Sequence, residues 1–220
     1  MLLKTILLLA VTACAAVPSS IIRPCTTTSC VARNLAAHSN CNPNVRGFVP
    51  SAYTIKRFRF ETPYFNASYI DNDLIIRNHD KCFLSEFYYN VETYKLVLGL
   101  DCPGLEFESR RTVIQHNSLQ EDEEFDYYYQ GCYALIRLTV EFNLKMSGVE
   151  PLNLCRTHTF ADVTSLPHYS INPNDHQTAS FLSNDDAFLS IYERETFHYR
   201  GNQLARYFIN SIICDFGCNF

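Results

Sequence analysis

The chain of 220 residues has no tryptophan, only two methionines and only seven glycines. So few glycines leave no glycine-rich phosphate loop, and the VAIK lysine and HRD loop of a protein kinase are missing too. No G-x-S-x-G elbow and no H-E-x-x-H helix occurs, which removes the common hydrolase and zinc-protease signatures. No cluster of five or more Lys/Arg exists, so nucleic acid is not an expected partner. Beyond the N-terminus no run approaches 18 apolar residues, so no membrane span is expected, and no KDEL-type address closes the chain.

The N-terminus reads as an export signal. Residues 1–16 hold one early charge, Lys4, an apolar run from Ile6 to Val11 and the small-residue exit Ala13-Cys14-Ala15. That is the charged, apolar and A-x-A order of a cleaved secretory leader, and its apolar run is short for about 30 Å of hydrocarbon. Its removal leaves 17 basic residues against the same 23 acidic ones and moves the net charge from −5 to −6. The mature residues 17–220 contain no linker or repeat and are expected to form a single domain, secreted into an oxidising compartment. Fourteen Tyr and sixteen Phe suit a packed, β-rich core.

Outside the leader lie nine cysteines: Cys25, Cys30, Cys41, Cys82, Cys102, Cys132, Cys155, Cys214 and Cys218. Their spacings do not match a zinc site, and in an oxidising lumen they are expected to pair. Nine is odd. Cys132, in the turn-like Gln130-Gly131-Cys132-Tyr133, is the candidate for a free or intermolecular thiol, and the other eight allow 105 connectivities. The terminal Cys214-Asp215-Phe216-Gly217-Cys218 contains DFG, a magnesium-binding tripeptide in kinases. Without the rest of a kinase it reads as a stapled C-terminal turn, with Gly217 allowing a tight bend.

Asn66-Ala67-Ser68 is the one glycosylation sequon, expected to carry a surface glycan. Glu121-Asp122-Glu123-Glu124-Phe125-Asp126 reads as a solvated acidic loop, because the spacing and glycine of a calcium loop are absent. It leads into Tyr127–Tyr129, acid-flanked candidates for sulfation. The seven histidines are scattered, and His158 near Asp162 has no nucleophile at a motif-like distance. Glu193 and Glu195 around Arg194 read as a surface charge cluster. No catalytic, cofactor or metal residues are assigned.

Period-two alternation marks the strands. It runs from Tyr53 through Phe58 and Phe60 to Pro63, along Tyr94, Leu96, Leu98, Leu100 and Cys102, and again at Leu105, Phe107 and Val113. The cleanest run sets Ala134, Ile136, Leu138, Val140, Phe142 and Leu144 against Tyr133, Arg137, Thr139, Glu141 and Asn143. Helical spacing follows in Phe181, Leu182, Phe188, Leu189 and Tyr192, then in Leu204, Ala205, Phe208, Ile209 and Ile212. A short helix is expected between Cys25 and His38, with Thr26–Thr28 offering a cap. The fold class is α+β: a long curled antiparallel sheet with a short N-terminal helix and C-terminal helices packed on it.

Several strings go further. Arg23-Pro24-Cys25, PYFNASYIDNDLIIRNHDKC (63–82), SEFYYNV (85–91), LDCPGLEFES (100–109), INPNDHQTA (171–179), IYERE (191–195), LARYF (204–208) and ICDFGC (213–218) closely resemble the fibrohexamerins, small glycoproteins of lepidopteran silk. The resemblance implies a non-enzymatic silk-gland protein associated, mainly non-covalently, with disulfide-linked fibroin heavy and light chains, keeping them soluble for assembly and secretion. It implies glycan at Asn66 and a framework of eight cysteines, with Cys132 extra. Family sequons near the stretches that here read Ser109–Thr112 and Gln130–Cys132 are missing, so less glycan is expected. The alternative is a secreted carrier of a lipophilic small molecule. A sheet wrapped on a C-terminal helix, with an opening Pro-Cys, is also similar to the juvenile-hormone-binding and takeout-like carriers, which need an apolar tunnel of several hundred Å³.

Overall fold

The computed structural model describes residues 20–63, 66–144, 151–163, 175–176, 178–180 and 189–218. The leader 1–16 and the apolar positions Phe181, Leu182 and Phe188 lie outside them. In chain order the elements are β1 (Ile21–Ile22), α1 (Thr28–His38), β2 (Ala52–Thr62), β3 (Ala67–Arg77), β4 (Phe83–Asn90), β5 (Lys95–Gln115), β6 (Glu123–Asn143), β7 (His158–Val163) and α2 (Leu189–Phe208), which ends in a π-turn over Ile209–Ile213.

Among the described residues the strands form a seven-stranded antiparallel sheet, β1-β4-β5-β3-β2, with β6 on the other edge of β5 and β7 on β6. The molecule is α+β, as expected. Its spine is the β5–β6 hairpin, 21 residues in each strand, or about 70 Å at 3.3 Å per residue. Such a ribbon twists and curls rather than staying flat. β4 pairs with the first half of β5 and β3 with the second half. The two strands expected at Tyr94–Cys102 and Leu105–Val113 are thus one.

Halfway along, the buried face changes phase. Leu96, Leu98, Leu100 and Cys102 are buried, then Leu105, Phe107, Ser109, Arg111 and Val113. On β6 the odd positions from Phe125 to Tyr133 are buried, then the even ones from Ile136 to Phe142. Pairing continues across the change, from Cys102↔Ile136 to Leu105↔Tyr133. The switch falls at Pro103-Gly104, where Gly104 has φ +63°, a value costly for any side chain. This corrects one expectation: Tyr133 is buried and Ala134 exposed, the reverse of a single unbroken alternation.

Two more corrections follow on β6. Glu123 to Asp126 begin the strand rather than a loop, because Phe125, Tyr127 and Tyr129 alternate inward. Gln130-Gly131-Cys132 is mid-strand and not a turn. Gly131 is there for space, since a Cβ would come within 2.6 Å of the Tyr129 hydroxyl and 2.8 Å of the Tyr133 ring.

The helix α2 presents Phe197, Arg200, Gly201, Leu204, Ala205 and Phe208 to the sheet, a stripe at helical spacing. Gly201 allows close approach, with Ala161 Cβ and Leu138 Cδ2 at 3.2 and 3.3 Å from where its own Cβ would stand. The side chains of 189–196, including Glu193, Arg194 and Glu195, are outside the described set. On α1, Thr27 takes the N-cap position but its side chain makes no capping bond. Val31 and Leu35 bury that helix.

Candidate functional site

The hollow of the curled sheet is filled, and by charge. β3 brings in Tyr69 and Asp71, β5 Ser109 and Arg111, β6 Tyr129 and Tyr133, and α2 Arg200; each is at most 3 % exposed. Asp71 Oδ1 accepts from Arg111 Nε at 2.7 Å and from Ser109 Oγ at 2.8 Å. Its Oδ2 accepts from Arg200 Nη2 at 2.8 Å and Arg111 Nη2 at 3.3 Å. Arg200 Nη1 donates to the Tyr129 hydroxyl at 3.0 Å, which meets the Tyr133 hydroxyl at 2.5 Å. The Arg111 guanidinium lies 3.6 Å from the centre of the Tyr129 ring, and that of Arg200 5.2 Å from the Phe60 ring. Charges this deep persist only when paired and hydrogen-bonded, and here the partners come from three strands and a helix. Beside the cluster an apolar slot between Ile55, Phe58, Leu74 and Leu204 measures about 10 Å³, no more than one water. Larger grooves of about 450 and 740 Å³ are edged by polar side chains such as Lys95, Glu141 and Arg156, and Lys56, Asp73 and Arg110. Neither is an apolar tunnel.

A second constellation closes the far end of the β2–β3 hairpin. Asn66, exposed and at φ +49°, donates from Nδ2 to the His116 carbonyl at 2.6 Å, and His116 N donates back to the Asn66 carbonyl at 2.9 Å. Ser68 Oγ lies 2.7 Å from His116 Nε2 and accepts from Arg59 Nη2 at 3.4 Å. His116 Nδ1 lies 2.8 Å from Asp122 Oδ2, and that hydrogen bond holds the Asp122 carboxyl below the usual carboxylate range. The connectivity is that of a serine hydrolase. Its geometry is not, because Ser68 is 1 % exposed at the start of β3, paired on both sides by β2 and β5, where an acyl carbon cannot reach Oγ. The chain of bonds works as a clasp. His116 and Ser68 are 48 residues apart, so no motif announced it.

Elsewhere, His158 packs against His198 with ring centres 4.5 Å apart. Burial first, and then the nearby His158, push the His198 pKa down. Asp162, which sequence placed near His158, pairs across the sheet with Arg137, so the two do not converge. Among the described residues no group of three or more His, Cys, Asp or Glu could hold a metal, and no helix is long and apolar enough to cross a membrane.

The sequence model of the family described as Fibroin P25 matches residues 21–218. The chain belongs to the Fibroin P25 family. It is similar to Fibrohexamerin of Galleria mellonella, 54% identical over 221 residues that cover 99% of this chain and 100% of that protein. Among solved structures it is similar to Takeout 1 of Epiphyas postvittana, at 10% identity and a TM-score of 0.47, covering 78% of this chain and 90% of that one.

In this Fibroin P25 family member the bridges are Cys25–Cys30, Cys41–Cys214, Cys82–Cys102 and Cys155–Cys218. The C-terminal turn is therefore not stapled to itself. Cys214 and Cys218 each reach a distant partner, and the intervening Gly217 bends at φ +71°. Asp215 uses its carboxylate on the Gly217 N–H at 2.8 Å, and its backbone pairs with Asn42. The ninth thiol, Cys132, is free and exposed on β6, across from Glu106 on β5.

Proposed function

We propose that this Fibroin P25 family protein is a secreted, non-enzymatic glycoprotein of the silk-gland lumen that associates with fibroin heavy and light chains. The association is mainly non-covalent and supports their solubility, assembly and secretion. The observation that carries this reading is the interior: Asp71, Arg111, Arg200 and the tyrosines Tyr69, Tyr129 and Tyr133 occupy the space a carrier would keep for ligand. A stiff sheet with a net negative charge suits a companion of a β-prone polymer at high concentration, which is liable to edge-to-edge pairing. A glycan at exposed Asn66 would add to that solubility. Because a glycosylated amide keeps one N–H, the bond from Asn66 to the His116 carbonyl can coexist with it.

The test is size-exclusion of secreted silk protein under native conditions, followed by mass spectrometry with and without reductant. The protein is expected to co-elute with fibroin, to dissociate in denaturant without reductant, to begin at residue 17 and to carry added glycan mass on the Asn66 peptide. Its absence from the fibroin fraction sinks the association. Stoichiometric lipid in an organic extract would favour the carrier instead.

A further inference from the structure

The sheet ends at β2, and among the described residues no strand pairs with its outer edge. Eleven residues make it about 36 Å long at 3.3 Å each, whereas β1 at the end of the β4 side has two. An open edge of this length is a template for another strand unless something blocks it. The two faces of β2 differ. Toward α2 stand Tyr53, Ile55 and Phe58, half-buried, with Tyr53 stacked on Tyr207 of α2 at 4.7 Å. Lys56, Arg57 and Arg59 are exposed, Arg57 and Arg59 on the face opposite Phe58. Their neutralisation is partial: Lys56 meets Asp73 at 3.5 Å with its own side chain 91% exposed, and Arg59 meets Glu61 at 3.3 Å. Arg57 has no ion-pair partner among the described residues.

These charges choose between occupants. A second copy pairing antiparallel through β2 would set one cationic stretch against another, which is unfavourable. A strand bearing carboxylates on that face and small or apolar side chains on the other gains three things. Backbone hydrogen bonds form along the edge, apolar contacts form beside Ile55 and Phe58, and ion pairs form with Lys56, Arg57 and Arg59. We propose that the outer edge of β2 takes up an extended segment of a partner protein in which acidic residues alternate with small or apolar ones. For its biological partner this rests on the association proposed above; the edge itself can be tested separately.

The probe is a peptide alternating valine and aspartate, about as long as β2, offered to the full-length protein. Binding is expected with slowed hydrogen exchange of the amides of residues 52–62. Arg57→Glu with Arg59→Glu should weaken it by about tenfold or more, while Arg33→Glu on α1 leaves it unchanged. A peptide N-methylated on alternate residues keeps the charge but loses one hydrogen-bonding edge, and it should fail to bind. No binding, protection elsewhere, equal binding of the methylated peptide, or dimerisation through β2 each overturn the proposal. In native silk fractions, a charge-reversed protein that co-elutes with fibroin as well as wild type also overturns it. If wild type itself does not co-elute, the association falls and the peptide still decides the edge.

Discussion

Asp71 is the residue on which the interior turns. It takes four hydrogen bonds from Ser109, Arg111 and Arg200, and none of these groups can reach water to compensate for its loss. Asp71→Asn removes the charge and turns an acceptor into a donor facing guanidinium groups. It should lower unfolding free energy by roughly 3–5 kcal/mol, read from the urea midpoint. His79 gives a second residue-level test. It is fully buried beside Tyr53, Tyr207 and Phe208, and burial pushes its pKa from 6.5 down to about 4. Below pH 6.5 the unfolded chain takes up this proton before the folded one does. Stability from His79 is therefore complete above pH 6.5 and declines as pH falls toward 4, by about 3 kcal/mol across the window. His79→Gln should flatten that part of the pH–stability profile. None of this was visible as a motif: Arg111 and Arg200 stand 40 and 129 residues from Asp71, and an aspartate in YIDND reads as surface. The Asn66-Ala67-Ser68 sequon, by contrast, is a local signal of three consecutive residues.

At the scale of the element, periodicity exposed the strands whose faces differ in polarity and hid the others. Leu96 to Cys102 and Ile136 to Phe142 alternate plainly. β3 does not, because its inward side includes Asp71 and both its faces are buried in places, at Ala67 to Asp71. The acidic start of β6 reads as a loop in sequence because its composition outweighs the alternation of Phe125, Tyr127 and Tyr129. The correction bears on modification: Tyr127 and Tyr129 are buried, and only Tyr128 is exposed, with its hydroxyl bonded to Glu108. The phase switch at Gly104 has no period to reveal it, being a bend in a continuous ladder. Gly131 is the most exacting position of the hairpin. Its added methyl in Gly131→Ala would meet the Tyr129 and Tyr133 hydroxyls, which Arg200 and their mutual bond hold in place. A loss of about 1–3 kcal/mol is expected, measured by urea denaturation, against no more than a few tenths for Ala134→Ser on the exposed face of the same strand.

For the whole molecule the question is what ties the ends of the sheet together. Cys41–Cys214 closes a separation of 173 residues and Cys155–Cys218 one of 63, so both chain regions outside the long hairpin are fastened to the C-terminal turn. Cys25–Cys30 closes only five. Closure entropy grows with the logarithm of loop length, so the long bridge should stabilise by about 5 kcal/mol and the short one by about 2. The paired replacement Cys41→Ser with Cys214→Ser should therefore shift the urea midpoint well beyond Cys25→Ser with Cys30→Ser. Equal shifts would mean that the unfolded chain is already compact near the long bridge. A non-reducing peptide map bears on the same point, since a local Cys214–Cys218 loop would stay within one peptide whereas the observed bridges join each cysteine to a distant one. With the turn anchored twice, α2 is held at its C-terminal end, and its inward stripe can carry Arg200 onto Asp71 against the cost of desolvating both.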